Sequence, residues 1–225
     1  MKKVAVLLFC FAVSMQLTAQ NMEDKYPISI LNPSGTKQLL FYFSGDGGIN
    51  NFSETLCADL AKNNFVVIVF NSRKYFWKQK LPDLMAAQVS EIIQYYLVKF
   101  NKKEYSLIGY SFGADAAIYF NTRIPKSLMP LPKSTILLSP SIATDFTVKV
   151  SDLLGIESSN GKYKTLPEIL KITSNVLCVF GDQEQKELYN GIANKKNIKR
   201  ILLPGSHKYN NDVEKVVATI VPMFN

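Results

Sequence analysis

Six short runs dense in Val, Ile, Leu, Phe and Tyr recur along the chain, at about 39–43, 65–70, 105–109, 135–139, 176–180 and 199–203. Longer segments with the period of a helix separate them, over roughly 51–63, 83–100, 112–121, 184–194 and 210–223. Short continuous apolar runs alternating with helices are the pattern of βα repeats around a mostly parallel sheet, with helices on both faces. Ile28 to Leu31 is a candidate edge strand. In such sheets reactive groups gather at the carboxyl ends of the strands, so the residues just after each run are the place to look.

With 225 residues, 47% hydrophobic and 20% charged, the chain can bury one sizeable core but is short for two. No linker, repeat or low-complexity tract divides it, so residues 21–225 read as one domain. Residues 1–20 stand apart. Lys2 and Lys3 precede the apolar run Val4 to Val13, and Leu17-Thr18-Ala19-Gln20 supplies small residues before a polar stretch. That is the pattern of a secretory signal peptide, and the run is too short for a membrane anchor. Cys10 follows Phe9, where a lipoprotein signal wants a small residue, so a soluble exported form is expected.

Loss of the leader, with Lys2 and Lys3, lowers the formal charge from +8 to +6. Two basic clusters contribute, Lys99/Lys102/Lys103 and Lys195/Lys196/Lys199/Arg200. They read first as solvated helix ends or loops, and second as attraction to an anionic membrane surface. An exported chain with no nucleic-acid-binding motif is not expected to bind nucleic acid. Cys57 and Cys178 read as small buried hydrophobes, and their spacing suggests neither a disulfide framework nor a metal site.

The chemistry centres on Gly109-Tyr110-Ser111-Phe112-Gly113, between a strand and a helical stretch. This is the strand-turn-helix context that the G-x-S-x-G nucleophile elbow of α/β-hydrolases requires, with Ser111 raised above the sheet. A serine hydroxyl needs a base to take its proton. The chain has one histidine, His207, in Pro204-Gly205-Ser206-His207-Lys208 after the last strand, where the elbow demands it. The triad acid should follow the penultimate strand. Glu184 in Gly181-Asp182-Gln183-Glu184 is the choice, because the fold usually carries its acid three residues beyond the glycine closing that strand. Asp182, with a shorter arm, is the alternative.

Acyl transfer also needs donors for a developing oxyanion. The amide of Phe112 supplies one, and Asp46 or Gly47 in the loop Ser44-Gly45-Asp46-Gly47-Gly48 is the candidate for the second. That loop lacks the spacing and lysine of a phosphate-cradling loop, so no nucleotide or other cofactor is expected.

Several strings, in order across the mature chain, together resemble the VirJ/AcvB bacterial virulence proteins. They are Ser44-Gly45-Asp46-Gly47-Gly48, Arg73-Lys74-Tyr75-Phe76-Trp77, Gly109-Tyr110-Ser111-Phe112-Gly113-Ala114-Asp115, Asp145-Phe146, Gly181-Asp182-Gln183-Glu184 and Pro204-Gly205-Ser206-His207. The resemblance implies an α/β-hydrolase fold, export to the periplasm and hydrolysis of an aminoacylated phospholipid such as lysyl-phosphatidylglycerol. On that basis Asp46 and Asp115 are candidates for a substrate ammonium, Arg73 for a phosphate, and Tyr75, Phe76 and Trp77 for the lipid or glycerol portion. The chain departs from the pattern at Ile49, Lys186 and Lys208, which alter the approach to the nucleophile and leave Ser111, Glu184 and His207 in place. The expected activity is thus a serine ester hydrolase acting on a small-molecule or lipid-headgroup ester, with at most a small lid in 142–172. The alternative is a non-catalytic envelope assembly factor that keeps the fold.

Overall fold

The computed structural model describes residues 21–125, 130–148 and 161–224. The leader-like residues 1–20 lie outside them. Nine strands are present among the described residues: β1 (Ile28–Leu31), β2 (Leu39–Phe43), β3 (Val66–Phe70), β4 (Tyr105–Tyr110), β5 (Ser134–Leu138), β6 (Ala143–Thr144), β7 (Tyr163–Lys164), β8 (Asn175–Gly181) and β9 (Ile198–Leu203). All but β6 and β7 join one sheet in the order β1-β3-β2-β4-β5-β8-β9. Only the β1–β3 pair at its edge is antiparallel. From β2 the chain steps outward to β3 and then returns to β4 on the other side of β2. The crevice above that reversal is where open α/β sheets bind their ligands.

The helices are α1 (Met22–Lys25), α2 (Asn51–Lys62), α3 (Ser72–Tyr75), α4 (Pro82–Lys99), α5 (Phe112–Asn121), α6 (Thr165–Ile169), α7 (Glu187–Gly191) and α8 (Val213–Ile220). Strand alternation sends Leu39, Phe41 and Phe43 to one face, where they join Val89 and Ile93 of α4 and Ile118 of α5. Leu40 and Tyr42 meet Leu56 and Leu60 of α2 and Val216 and Ile220 of α8 on the other. Covering both faces explains why the strand sequences are apolar throughout. Truncating any of these fully buried chains to alanine removes about 2–5 kcal/mol.

Local chemistry sets the helix starts. Asn50 accepts from the Ser53 amide at the head of α2, Asp212 accepts from the Lys215 amide at the head of α8, and Pro82 opens α4. Two expected helices are shorter than their apolar periodicity suggests. Residues 184–194 contain only the five-residue α7, because 181–186 form a turn in which the Glu184 amide donates to the Gly181 carbonyl. Residues 210–223 start late, because Tyr209, Asn210 and Asn211 all adopt positive φ before Asp212 caps α8. The run expected at 135–139 ends at Leu138, since Ser139 turns out of the sheet with φ 48°.

Cys57 and Cys178 are buried free thiols, pushed up in pKa by burial, and so inert as nucleophiles. No described helix is long and apolar enough to cross a membrane.

Candidate active site

Ser111 links β4 to α5 with φ 56° and ψ −126°, a conformation that costs a non-glycine residue energy and persists only where neighbours impose it. Its amide donates to the Leu138 carbonyl of β5 at 2.8 Å, and its carbonyl accepts from the Ala114 amide at 2.7 Å. Gly113 makes the turn sterically feasible. A Cβ there would stand 2.3 Å from the Phe43 carbonyl oxygen, so any side chain would push α5 off the end of β2.

A cleft of about 660 Å³ opens above this turn, lined by Asp46, Ser111, Phe112, Asp115, Glu184 and His207 among others. One wall is the segment 139–145, which follows β5 and pairs through β6 with β7. Within 142–172, where a small lid was expected, residues 142–145 thus form a wall of the cleft, and residues 149–160 lie outside the described residues. A larger groove of about 910 Å³, lined by residues such as Asn50, Asp59, Lys208 and Asp212, pairs no nucleophile with a base.

Across the cleft, His207 Nδ1 lies 2.7 Å from Glu184 Oε1. A carboxylate only accepts, so Nδ1 carries a proton, and Nε2 is the nitrogen left to act as a base in the neutral ring. The other Glu184 oxygen accepts from the Ser139 hydroxyl at 2.8 Å and from the Gly181 amide at 2.5 Å. Burial pushes the Glu184 carboxyl up in pKa. The hydrogen bonds from His207, Gly181 and Ser139 outweigh it and hold the group below the usual carboxylate range. Gly181 lets the histidine loop cross here, because a Cβ on it would lie 2.4 Å from the carbonyl oxygens of Gly205 and Ser206.

Asp182, the alternative acid, turns elsewhere. Its Oδ1 accepts from the Gly205 amide at 2.9 Å and its own amide donates to Leu203, which fastens the base of the histidine loop.

Three residues around this pair were not singled out from the sequence. Ser139 donates to Glu184, and Tyr209 places its hydroxyl 2.7 Å from Ser139 Oγ and 3.1 Å from the Val179 carbonyl. Because the serine proton goes to the carboxylate, the tyrosine proton is shared between Ser139 and Val179. Tyr110, inside the elbow, donates to the His207 carbonyl at 3.3 Å. Ser139 was hidden because the apolar run reads on through it to 139, whereas the strand ends at Leu138; the two tyrosines had no signal beyond apolar patterning.

On the near side, Gly45 to Gly48 close a tight turn, with the Gly48 amide donating to Gly45 at 3.0 Å. Asp46 at its tip lines the cleft. Its Oδ1 accepts from the Gly47 amide at 2.8 Å, and Gly47 lies outside the cleft, so Gly47 is corrected as an oxyanion donor: its N–H is already taken. The Phe112 amide opens α5, where no intrahelical acceptor exists for it.

A family model described as "Bacterial virulence protein (VirJ)" matches residues 37–225. The chain belongs to the VirJ family. No curated protein matches it significantly. Its fold is that of the α/β-hydrolases, shared with solved structures of low sequence identity. A lipase-esterase related protein from Clostridium acetobutylicum superposes with TM-score 0.64 at 15% identity, covering 88% of this chain and 98% of that one. MenH from S. aureus gives 0.63 at 16% identity, with 87% and 97% covered. Proline iminopeptidase from Mycobacterium smegmatis gives 0.61 at 11%, with 88% and 93% covered.

The remaining residues picked out by the VirJ resemblance divide between the cleft and other places. Tyr75 and Phe76 are corrected as substrate contacts, because both are core. The Tyr75 hydroxyl donates to Gln88 at 2.5 Å, and the Phe76 ring is fully buried against Phe112 and Phe146. Arg73 and Trp77 are exposed but line a separate depression with Gly47, Gly48 and Lys74, so they are not walls of the Ser111 cleft.

Asp115 lies on the cleft floor, 1% exposed, with Oδ1 accepting from the Ser141 amide at 2.9 Å. Burial, with a smaller contribution from nearby Asp46, raises its pKa well above the ordinary 3.8. This acid therefore binds its proton more tightly folded than unfolded, and stability falls as pH climbs above 3.8 toward the folded value. Asp115→Asn keeps the acceptor for Ser141 and removes the ionisation. It is expected to melt several degrees higher at neutral pH, at about 2–4 °C per kcal/mol for a chain of this size. The gain should vanish in acid, as thermal unfolding across pH would measure. A variant that melts lower than the parent at pH 7 contradicts the assignment.

Proposed function

We propose that the chain is an exported serine ester hydrolase working through an acyl-enzyme. The observation that carries this reading is the Glu184–His207 hydrogen bond in the same cleft that holds Ser111 at its elbow. His207 Nε2 takes the Ser111 proton as the hydroxyl oxygen attacks the ester carbonyl, and Glu184 stabilises the imidazolium that forms. The amides of Phe112 and Asp46 receive the oxyanion. As the tetrahedral species collapses, the proton on His207 passes to the leaving alcohol and the acyl group stays on Ser111. Water, deprotonated by His207, then releases the acid and restores the serine.

The substrate class proposed is an aminoacyl ester of a phospholipid headgroup, like lysyl-phosphatidylglycerol. Two acids that line the cleft with Ser111, Asp46 at the loop tip and Asp115 on the floor, support it, since carboxyl groups there stabilise an entering ammonium, whose charge in turn favours ionisation of the buried Asp115. Residues 1–20 support export, and the family resemblance supports the periplasm as its site of action. Release of free lysine from lysyl-phosphatidylglycerol, measured beside neutral acyl esters and peptides, tests the reading. Turnover of the aminoacyl ester at least tenfold above the neutral esters is expected, and equal or lower turnover overturns the substrate class.

A second reading, a non-catalytic envelope factor, draws on a family description that names virulence and no chemistry. It requires Ser111→Ala to retain full biological activity, whereas the hydrolase reading requires its loss.

A further inference from the structure

Trp77, Leu81 and Leu84 are 55%, 61% and 47% exposed, three of the five large exposed hydrophobic residues of the described chain, gathered within eight positions. Leu81 caps α4 and Leu84 lies in its first turn, three positions on. Four cations, Arg73, Lys74, Lys78 and Lys80, interleave with them, and no acid occurs in the sequence between Asp59 and Asp83. Asp83 is itself engaged by the Arg123 guanidinium at 3.1 Å. Apolar side chains with a tryptophan, beside four cations from a stretch of sequence without an acid, match a surface of acyl chains beneath anionic headgroups. An acidic protein would satisfy the charges but gives no reason for leucines and a tryptophan at the same place.

The patch is tied to the cleft. The Val148 amide donates to the Phe76 carbonyl at 3.0 Å, the Lys80 amide to Phe146 at 3.1 Å, and the Gln79 side chain to the Asp145 carbonyl at 3.2 Å. Asp145 and Thr147 line the cleft, so the strip that carries the patch is hydrogen-bonded along its length to a strip that walls the cleft. The patch also follows β3, at the carboxyl ends of the parallel strands where Ser111 sits. The clusters at Lys99/Lys102/Lys103 and Lys195/Lys196 precede β4 and β9 and lie at the opposite end of the sheet.

We propose that the segment 73–84 is a membrane-docking surface that seats on a bilayer carrying anionic headgroups and holds the cleft beside it. Its use in presenting a lipid ester to Ser111 rests on the hydrolase reading; the docking itself does not.

Trp77 is the only tryptophan, so its emission reports this site alone. Adding phosphatidylcholine vesicles that contain phosphatidylglycerol should shift that emission to the blue and sediment the protein, and pure phosphatidylcholine should do neither. Each cation facing an anionic surface is worth roughly fivefold in partitioning. K74E/K78E should therefore bind at least about 25-fold more weakly while melting at the parent temperature, and Leu81→Ser should weaken binding to the same vesicles. Ser111→Ala should bind like the parent, which separates docking from catalysis. Unchanged Trp77 emission with the anionic vesicles, binding indifferent to K74E/K78E, or burial of Trp77 only by an acidic protein overturns the proposal.

Discussion

Ser111→Ala is expected to lower ester turnover by on the order of a thousandfold or more while leaving the fold intact. The turn that strains Ser111 is imposed by the Leu138 carbonyl, the Ala114 amide and the close approach of Gly113 to β2, none of which involves the hydroxyl. Loss of the hydroxyl therefore removes the nucleophile and nothing else. His207→Ala should fall by a similar factor, and the double variant should be no slower than either single one, because each change alone already disables the same attack. Rates measured on one soluble ester decide this. Multiplying losses in the double variant would mean that the two residues act in separate steps.

The second large effect separates two neighbouring acids. Glu184→Gln is expected to reduce turnover by several hundredfold or more, on the scale seen when a triad acid is neutralised. Three donors converge on Glu184, from His207, Ser139 and Gly181, and a carboxamide must turn its NH₂ toward at least one of them. Asp182→Asn retains an oxygen for the Gly205 amide and is expected to change turnover less than about tenfold. Rates for both variants, read beside their melting temperatures, make the comparison. A larger loss from Asp182→Asn, with both proteins folded, would contradict the role given to Glu184.

Much of the architecture was legible because it depends on features written locally. Continuous apolar runs such as Val66 to Phe70 can be satisfied only by burial on both faces, and helical periods such as that of Pro82 to Lys99 need one apolar side. The elbow was legible for the same reason, since Gly109, Ser111 and Gly113 sit in one pentapeptide. What escaped the sequence depends on contacts between distant segments. Nothing local distinguishes Phe76, which fills the core against Phe112, from Trp77, which faces solvent one residue later. Nor does local sequence say that the Gly47 amide turns back to Asp46, or that Tyr110 reaches 97 residues along the chain to the His207 carbonyl. Helix ends at 184–187 and 210–213 were missed because the chain there is bent into the turns that carry Glu184 and follow His207.

Fluorophosphonate labelling tests the central claim most directly. The phosphonyl group bonds to a serine oxygen only where a base withdraws its proton and donors receive the charge that develops. Intact-mass measurement and peptide mapping of the folded protein should place one adduct on Ser111, none in Ser111→Ala, and sharply slowed labelling in His207→Ala. Folded protein that stays unlabelled, or that carries the adduct on another serine, would contradict the account.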